Sequence, residues 1–338
     1  MADGHYVKGT LCHDNGFKKY TGSFANDVYE SEFGEQFSDV EEGRILFSGP
    51  YKEGGLCAEE GCKQYYDETD GPVLYEGGYS NGHYNGAGKC LHRNGMTKME
   101  GAFVDHNITG EDGQYYYESG VLMYKGPIID EKFTGEAVTL YTESGAIKYE
   151  GPMKDSEQHG ETGKLYWATG DEQVLKYEGG FEEGKFSGEN AVLYHENGKK
   201  AYEGSFVNGQ ESGEGGKLFD EEERLIFEGN FDEGLKSGEG KEFNPEDGTV
   251  VFEGKFVGDT QAEGAVTKFA EDGKTKIFEG AVNGEGQKEG FGMEYFENGN
   301  KKFMGQFIAD KYEHEATEEK KAVLWNEDGT KNYEGTFK

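Results

Sequence analysis

The residues that could do chemistry lie far apart in the sequence and lack the spacing that a catalytic or metal site requires. The eight histidines are scattered along the chain: His5, His13, His83, His92, His106, His159, His195 and His314. The four cysteines show no CxxC spacing: Cys12, Cys57, Cys62 and Cys90. His13 and His195 occupy equivalent positions of a sequence repeat. We therefore expect no metal site and no catalytic residue.

Two further patterns imitate ligand sites without completing them. Residues 284–290 read GEGQKEG, like a phosphate-binding loop, but no helix is predicted to follow them and their glycines belong to the repeat. The acidic run at 220–223 lacks the spacing of an EF-hand loop. Because repeats occupy nearly every residue, no room remains for a catalytic domain. The sequence predicts a protein that is not an enzyme and uses no cofactor.

Composition and charge narrow the choice of partner. The chain of 338 residues has a net charge of −34, and it contains 56 glycines, 22 tyrosines and 23 phenylalanines. This charge disfavours nucleic acid, whose phosphates need a basic surface, and it disfavours an anionic membrane. A basic protein surface is the partner that the charge favours. The many aromatic rings indicate that the chain folds, although only 33% of its residues are hydrophobic.

The sequence also favours a cytoplasmic protein. Its cysteines all fall in the first third, where they could not stabilise the whole chain as disulfides, so we expect reduced thiols. The first residues, MADGHYVKG, resemble neither an export signal nor a transit segment. No window approaches the ~18–20 apolar residues of a membrane span.

The element that must position any functional residue is an internal repeat. A word of the form aromatic–x–Gly–x–hydrophobic recurs along the entire chain, for example as YEGGY, YEGSF and FEGKF. Its central glycines stand at 22, 49, 77, 101, 126, 151, 179, 204, 229, 254, 280, 305 and 335. A period sustained over three hundred residues predicts an array of identical structural units.

Each repeat has a second half that completes a β-hairpin. About ten residues after the word comes a Gly-rich stretch, then a short apolar–aromatic segment, then an Asn-Gly or Asp-Gly pair such as Asn197-Gly198. Such pairs tolerate positive φ at both central turn positions and are the strongest short-range hairpin signal. The fold class is therefore all-β. We expect an elongated, twisted, single-layer antiparallel meander of about 12 hairpins, with strand A (YEGxF), a loop, strand B, and almost no helix.

Alternation along the word separates two faces of the sheet. In YEGSF, Tyr202, Gly204 and Phe206 lie on one face, and a ring is expected to cover the gap that the glycine leaves. The opposite face carries a row of acids: Glu76, Glu100, Glu150, Glu178, Glu203, Glu228, Glu253, Glu279 and Glu334. A solvated face is the favoured interpretation of this row, and an acidic track for a basic partner is the alternative.

YEGGYSNGHYNGAGKCLHRNG at 75–95 and YEGSFVNGQESGEGGKLF at 202–219 closely resemble the MORN repeat (membrane occupation and recognition nexus). The resemblance covers the chain from about residue 6 to 337. It describes a single array over 1–338, with a half-repeat and degenerate repeats in 1–74 and regular repeats in 75–337. Three departures stand out: units of mostly 25–28 residues that imply extended A–B loops, two degenerate units, and an acidic balance that weakens a membrane role.

The resemblance implies a scaffold that binds a partner helix or peptide with basic character along the aromatic and glycine face. A ciliary assembly like a radial spoke, or a cortical cytoskeletal assembly, is the expected setting. The partner-binding residues predicted from the regular units are Tyr177, Phe181, Tyr202, Phe206, Phe227, Phe231, Phe252 and Phe256. The structural alternative is that these rings pack on each other.

Two further hypotheses stay open at this stage. The first is a phospholipid-binding adaptor that uses loop lysines: Lys132, Lys154, Lys185, Lys236 and Lys311. The second concerns the terminal segments: residues 6–24 align with residues 186–206, so the first strand is a strand B, and the final YEGTFK is a strand A. Such edges are complementary, so copies could associate head to tail, unless charged edges prevent the pairing.

Overall fold

The strands of the protein follow from its repeating words, and the computed structural model describes them over residues 7–56, 58–68, 71–168, 173–262, 264–313 and 322–335. The chain divides into two compact units, Met1–Gln173 (unit 1) and Val174–Lys338 (unit 2). The described residues contain strands and turns but no helix. The all-β prediction is confirmed.

Unit 1 contains nineteen of the described strands. They are β1 (Val7–Cys12), β2 (Lys18–Ala25), β3 (Val28–Tyr29), β4 (Ser31–Phe37), β5 (Ile45–Lys52), β6 (Gly55–Leu56), β7 (Ala58–Tyr65), β8 (Val73–Ser80), β9 (His83–Leu91), β10 (Thr97–Val104), β11 (Asn107–Ile108), β12 (Gln114–Tyr116), β13 (Leu122–Lys125), β14 (Ile128–Ile129), β15 (Lys132–Phe133), β16 (Gly135–Tyr141), β17 (Ile147–Lys154), β18 (Glu157–Gln158) and β19 (Gly160–Tyr166).

Unit 2 contains the other fifteen described strands. They are β20 (Leu175–Glu182), β21 (Lys185–Tyr194), β22 (Lys200–Val207), β23 (Gln210–Phe219), β24 (Leu225–Asp232), β25 (Leu235–Phe243), β26 (Val250–Val257), β27 (Thr260–Gln261), β28 (Gly264–Phe269), β29 (Lys276–Val282), β30 (Lys288–Tyr295), β31 (Lys301–Ile308), β32 (Lys311–Tyr312), β33 (Ala322–Trp325) and β34 (Lys331–Gly335).

Within each unit, successive strands pair antiparallel in the predicted meander. Tyr202 of β22 lies opposite Leu193 of β21 on one side and Leu218 of β23 on the other. The described strands outnumber those of the 12 or so expected hairpins because many B strands are interrupted. Residues 157–166, for example, form β18 and β19, and both of these pair with β17.

The turns correct the sequence analysis in two respects. Most A–B connections are two-residue turns and not extended loops, as at Asn208 (φ 53°) and Gly209 (φ 87°) between β22 and β23, whereas five residues, 283–287, join β29 to β30. Positive φ at both central positions is the type I′ signature, which matches the twist of the flanking strands. In the B–A pair Asn197-Gly198 only the glycine has positive φ, and its N–H donates to the His195 carbonyl at 3.0 Å.

The core of each hairpin is a ring lying on a floor of glycine. A Cβ added to Gly204 would lie 2.3 Å from Tyr202 Oη, and one added to Gly216 on the neighbouring strand would lie 2.6 Å from the same atom. Tyr75 covers Gly77 and Gly88 in unit 1 in the same way. Because a side chain at either position would displace the ring, the predicted pairing of rings with glycines is confirmed.

Replacing a covered glycine should destabilise the protein far more than replacing an open one. In Gly240→Ala the new methyl carbon would lie 2.6 Å from the Phe227 ring, which is fully buried. We expect a loss of about 1–3 kcal/mol in the free energy of unfolding, as for other overpacked cores. Urea denaturation followed by circular dichroism measures it.

Gly284→Ala is the matched control, because an added Cβ there meets nothing within 4 Å. Its effect should stay within about 0.5 kcal/mol. Equal losses in the two variants would contradict the proposed glycine floor.

Candidate functional site

The eight rings predicted to bind a partner form the core of unit 2. Their exposed fractions lie between 0 and 5% for Tyr177, Phe181, Tyr202, Phe206, Phe227, Phe231, Phe252 and Phe256. A partner docking on the folded protein would not reach them. The sequence-based assignment of these residues to a binding surface is therefore corrected, and mutual packing, the alternative, describes them.

These rings pack edge to face in a zigzag that links consecutive hairpins. Tyr202 contacts Phe206 of its own strand and Phe231 of the next strand A, both at 5.2 Å between ring centroids. Phe227 repeats the arrangement with Phe231 at 5.3 Å and Phe256 at 5.1 Å. Each such contact adds about 0.5–1.5 kcal/mol beyond the burial of the rings. Both partners of every ring are thus supplied from within the array.

Tyrosine at the first ring position also satisfies a polar group. The hydroxyl of Tyr177 donates to the Gly180 carbonyl at 3.0 Å, and that of Tyr202 donates to the Ser205 carbonyl at 3.3 Å. Burial raises the pKa of both tyrosines to about 12. Their hydroxyls therefore stay protonated and act as hydrogen-bond donors inside the core.

The first ring of each word, such as Tyr177, is covered by the side chain that lies nine or ten residues later in the sequence. The type of this covering side chain changes along unit 2. Phe186 stacks on Tyr177 at 3.8 Å between centroids. Farther along, lysines take the place of the ring: Lys236 Nζ lies 4.7 Å from the Phe227 centroid, and Lys288 Nζ lies 5.4 Å from that of Phe278. The cover is thus apolar at β21 and cationic at β25 and β30.

The two lysines that cover rings form ion pairs with glutamates that face the same rings. Lys236 pairs with Glu242 at 2.8 Å, and Lys288 pairs with Glu294 at 2.6 Å. Burial alone would raise the pKa of Glu294, but hydrogen bonds from Lys288 and Tyr312 outweigh it and lower the pKa. These charges hold the lysines over the rings and form a polar layer that no sequence pattern had indicated.

The opposite, outer face of the sheet carries the predicted row of glutamates together with a row of lysines. Glu228 lies opposite both Lys217 and Lys241 on the neighbouring strands. Glu253 pairs with Lys241 at 3.2 Å. The hydrogen bond from Lys200 lowers the pKa of Glu203 against the effect of its burial. The structure thus supports the solvated-face interpretation, with cations interleaved among the acids.

A groove on the outer face of unit 2 lacks such cations. Its volume is about 430 Å³, and it is lined by Glu182, Ser187, Gly188, Glu189, Ser205, Phe206, Val207, Asn208, Ser212 and Gly213. We call it the serine groove. The lining contains two carboxylates and no lysine or arginine. Small side chains leave the backbone of β21 and β23 accessible between these acids.

Apolar side chains on the same outer face are unusually accessible. The exposed fractions lie between 45 and 69% for Val207, Leu235, Val257, Phe291 and Ile308. Alternation along their strands explains the exposure, since Lys236 beside Leu235 turns inward onto Phe227. The sequence analysis assigned the partner surface to rings that are buried. The side chains that a partner could contact are the exposed apolar ones of the outer face.

Histidines that directly follow B strands connect neighbouring hairpins. His195 Nε2 lies 3.2 Å from the Phe219 carbonyl, and His92 Nε2 lies 3.1 Å from that of Tyr116. Since a carbonyl only accepts, each Nε2 carries the proton and donates. Asn197 donates to the Glu221 carbonyl at 2.7 Å in the same way. These side chains thus join the B–A turns at His92 and His195 to the turn of the following hairpin.

Metal-binding clusters and membrane-spanning helices are absent from the described part of the chain. Within it, no group of three or more His, Cys, Asp or Glu side chains is arranged to hold a metal ion. Within the same residues, no helix has the length and apolar character needed to cross a membrane. Among the loop lysines considered for lipid binding, Lys132 pairs with Asp155 at 2.9 Å. His5, His314 and Cys57 lie outside the described residues.

Alkaline pH should destabilise the protein through its buried tyrosines. Because burial raises the pKa of Tyr177 and Tyr202 from 10 to about 12, their contribution to stability is complete below pH 10 and declines as the pH rises towards 12. Each tyrosine contributes a slope of up to about 1.4 kcal/mol per pH unit. Urea unfolding measured from pH 8 to pH 12 reports this slope.

The double variant Tyr177→Phe/Tyr202→Phe should show a shallower loss between pH 10 and pH 12. Phenylalanine fits these positions, because Phe227 and Phe252 occupy them in later hairpins. At pH 8 the variant should lose about 1 kcal/mol per missing hydroxyl bond. An unchanged pH dependence would refute the role assigned to these hydroxyls.

Comparisons with known proteins assign no family to the chain. No family model matches it, and no curated protein matches it significantly. The crystal structure of TcdB2-TccC3-Cdc42 aligns with 94% of this chain and 18% of its own, at 11% identity and a TM-score of 0.15. That of TcdB2-TccC3 aligns with 98% and 22%, at 10% identity and a TM-score of 0.14. The chain thus spans about a fifth of those chains, and similarity at this level supports no functional argument.

Proposed function

We propose that this protein is a non-enzymatic scaffold, similar to MORN arrays, that binds a partner protein on the outer face of unit 2. The observation that carries the proposal is the serine groove, where two carboxylates and the exposed Val207 surround a floor of serine and glycine. Exposed apolar groups rimmed by polar ones are typical of protein–protein contact sites. The buried rings supply the rigid support for this surface.

The chemistry of the groove selects a basic amphipathic partner. Glu182 and Glu189 face it without a lysine or arginine in the lining, so positively charged side chains are favoured there. Val207 and Val257 offer apolar contact on the same face. A helix or an extended peptide that alternates basic and apolar residues meets both requirements. Nucleic acid and anionic membranes are disfavoured by the charge of −34.

The setting of this scaffold follows from the resemblance alone. MORN arrays occur in ciliary and cortical cytoskeletal assemblies, and we propose such a cytoplasmic assembly for this chain. Head-to-tail association through the terminal strands stays a prediction from the sequence. Affinity capture from native tissue followed by mass spectrometry would identify the partner.

Changes in the groove should weaken the binding of a basic amphipathic peptide. A fluorescein-labelled helical peptide of alternating lysine and leucine segments serves as the probe, and fluorescence anisotropy measures its affinity. We expect Glu182→Gln/Glu189→Gln and Val207→Ser/Val257→Ser each to weaken binding about tenfold, equivalent to roughly 1.4 kcal/mol.

Val104→Ser is the matched control, because Val104 holds the repeat position of Val207 in unit 1 and is 49% exposed. It should leave the affinity unchanged. Similar losses in Val104→Ser and in the groove variants would show that binding is non-specific and would overturn the proposed site. Circular dichroism of each variant confirms that the fold persists.

A further inference from the structure

Unit 1 contains a larger cavity whose chemistry differs from that of the serine groove. Its volume is about 630 Å³, and its lining includes residues of β1, β2, β4 and β5: Lys8, Ser23, Glu32, Phe33, Pro50 and Lys52. Pockets for small ligands and anchoring side chains usually measure about 300–1,000 Å³ and combine apolar walls with a few polar groups. This cavity has the right size and the right mixture.

Phe33 is a ring that the fold does not require. The register between β4 and β5 shifts between Ser31 and Gly34, so Glu32 and Phe33 bulge out of the ladder. The corresponding bulge in β21, after Gly188, contains Asn190, and that in β23, after Gly213, contains Gly215. Phe33 is 62% exposed, unlike the buried rings of the repeating words. Phe33 lies beside the cavity, where its exposed ring forms an apolar wall.

Two ammonium groups flank the same cavity. Lys8 and Lys52 both line it, and within the described residues no ion pair joins either of them to a carboxylate. The lining also contains two acids: Glu30, whose carboxylate accepts the Glu53 N–H at 3.0 Å, and the exposed Glu32. Among the described residues neither acid lies within ion-pair distance of the two lysines, so both ammonium groups are open to an anion.

We propose that this cavity binds a planar aromatic group with a neighbouring carboxylate. The aromatic group packs against Phe33 and Pro50, and the carboxylate lies between Lys8 and Lys52. The site goes beyond the proposed function, since it selects an acidic ligand and lies in unit 1. Such chemistry is offered by an aromatic–acidic pair in a protein segment or by a free aromatic acid.

Titration calorimetry with the full chain tests the proposal. The probes are N-acetyltryptophan, its uncharged amide, and a capped peptide with tryptophan next to glutamate. We expect N-acetyltryptophan to bind about tenfold more tightly than the amide, because only the acid engages the lysines. Tighter binding of the peptide than of N-acetyltryptophan assigns the cavity to a partner protein, and the reverse order assigns it to a free aromatic acid.

Variants assign the contacts. Lys8→Gln/Lys52→Gln should reduce binding of the acid to the level of the amide, whereas Lys148→Gln/Lys154→Gln, an equal charge change at exposed lysines elsewhere in unit 1, should not. Phe33→Ser should weaken both tryptophan probes, with Phe291→Ser as its control.

Three results would overturn the proposal. The first is equal affinity for the acid and the amide. The second is an equal loss in the two lysine double variants. The third is the absence of measurable binding of every probe to the folded wild-type chain. None of these results bears on the serine groove, whose probe is basic and whose variants lie in unit 2.

Discussion

A ring that lies flat on two glycines is the contact on which the rest of this structure depends. A sheet without a second layer cannot usually bury a core, because one of its faces meets water. Here Tyr202 covers Gly204 of its own strand and Gly216 of the next, and rings from neighbouring hairpins close over its edges. The ring contacts backbone where a side chain would normally stand. Burial of this kind is possible only where glycine and ring recur in register.

This use of the rings separates stability from recognition. The inner rings are buried against one another, so the side chains that contact solvent belong to the outer face, the bulges and the turns. The turns are themselves joined from one hairpin to the next, as the bond from Asn197 to the Glu221 carbonyl illustrates. Variation is therefore tolerated where the ladder does not need a particular residue. Phe33 at a bulge and Val207 beside a turn are such positions.

Much of the fold could be predicted from the sequence, and the reasons for the errors are physical. Alternation in YEGSF correctly placed Tyr202 and Phe206 on one face with Gly204 between them. The turn assignment failed because Asn-Gly suits more than one turn geometry, and only the backbone shows which φ values are adopted. The predicted binding rings are buried because exposure depends on neighbouring hairpins, which alternation within one strand does not report.

The sequence by itself determined the class of the fold, its period and the pairing of rings with glycines, because these depend on local alternation and on strict repetition. The tertiary structure alone decided which aromatic side chains remain accessible and where charges meet. Lys236 and Glu242 lie over Phe227, and Glu228 lies between two lysines, because strand register brings together residues from different parts of the chain. The cavity beside Phe33 is likewise lined by residues from four different strands, β1, β2, β4 and β5.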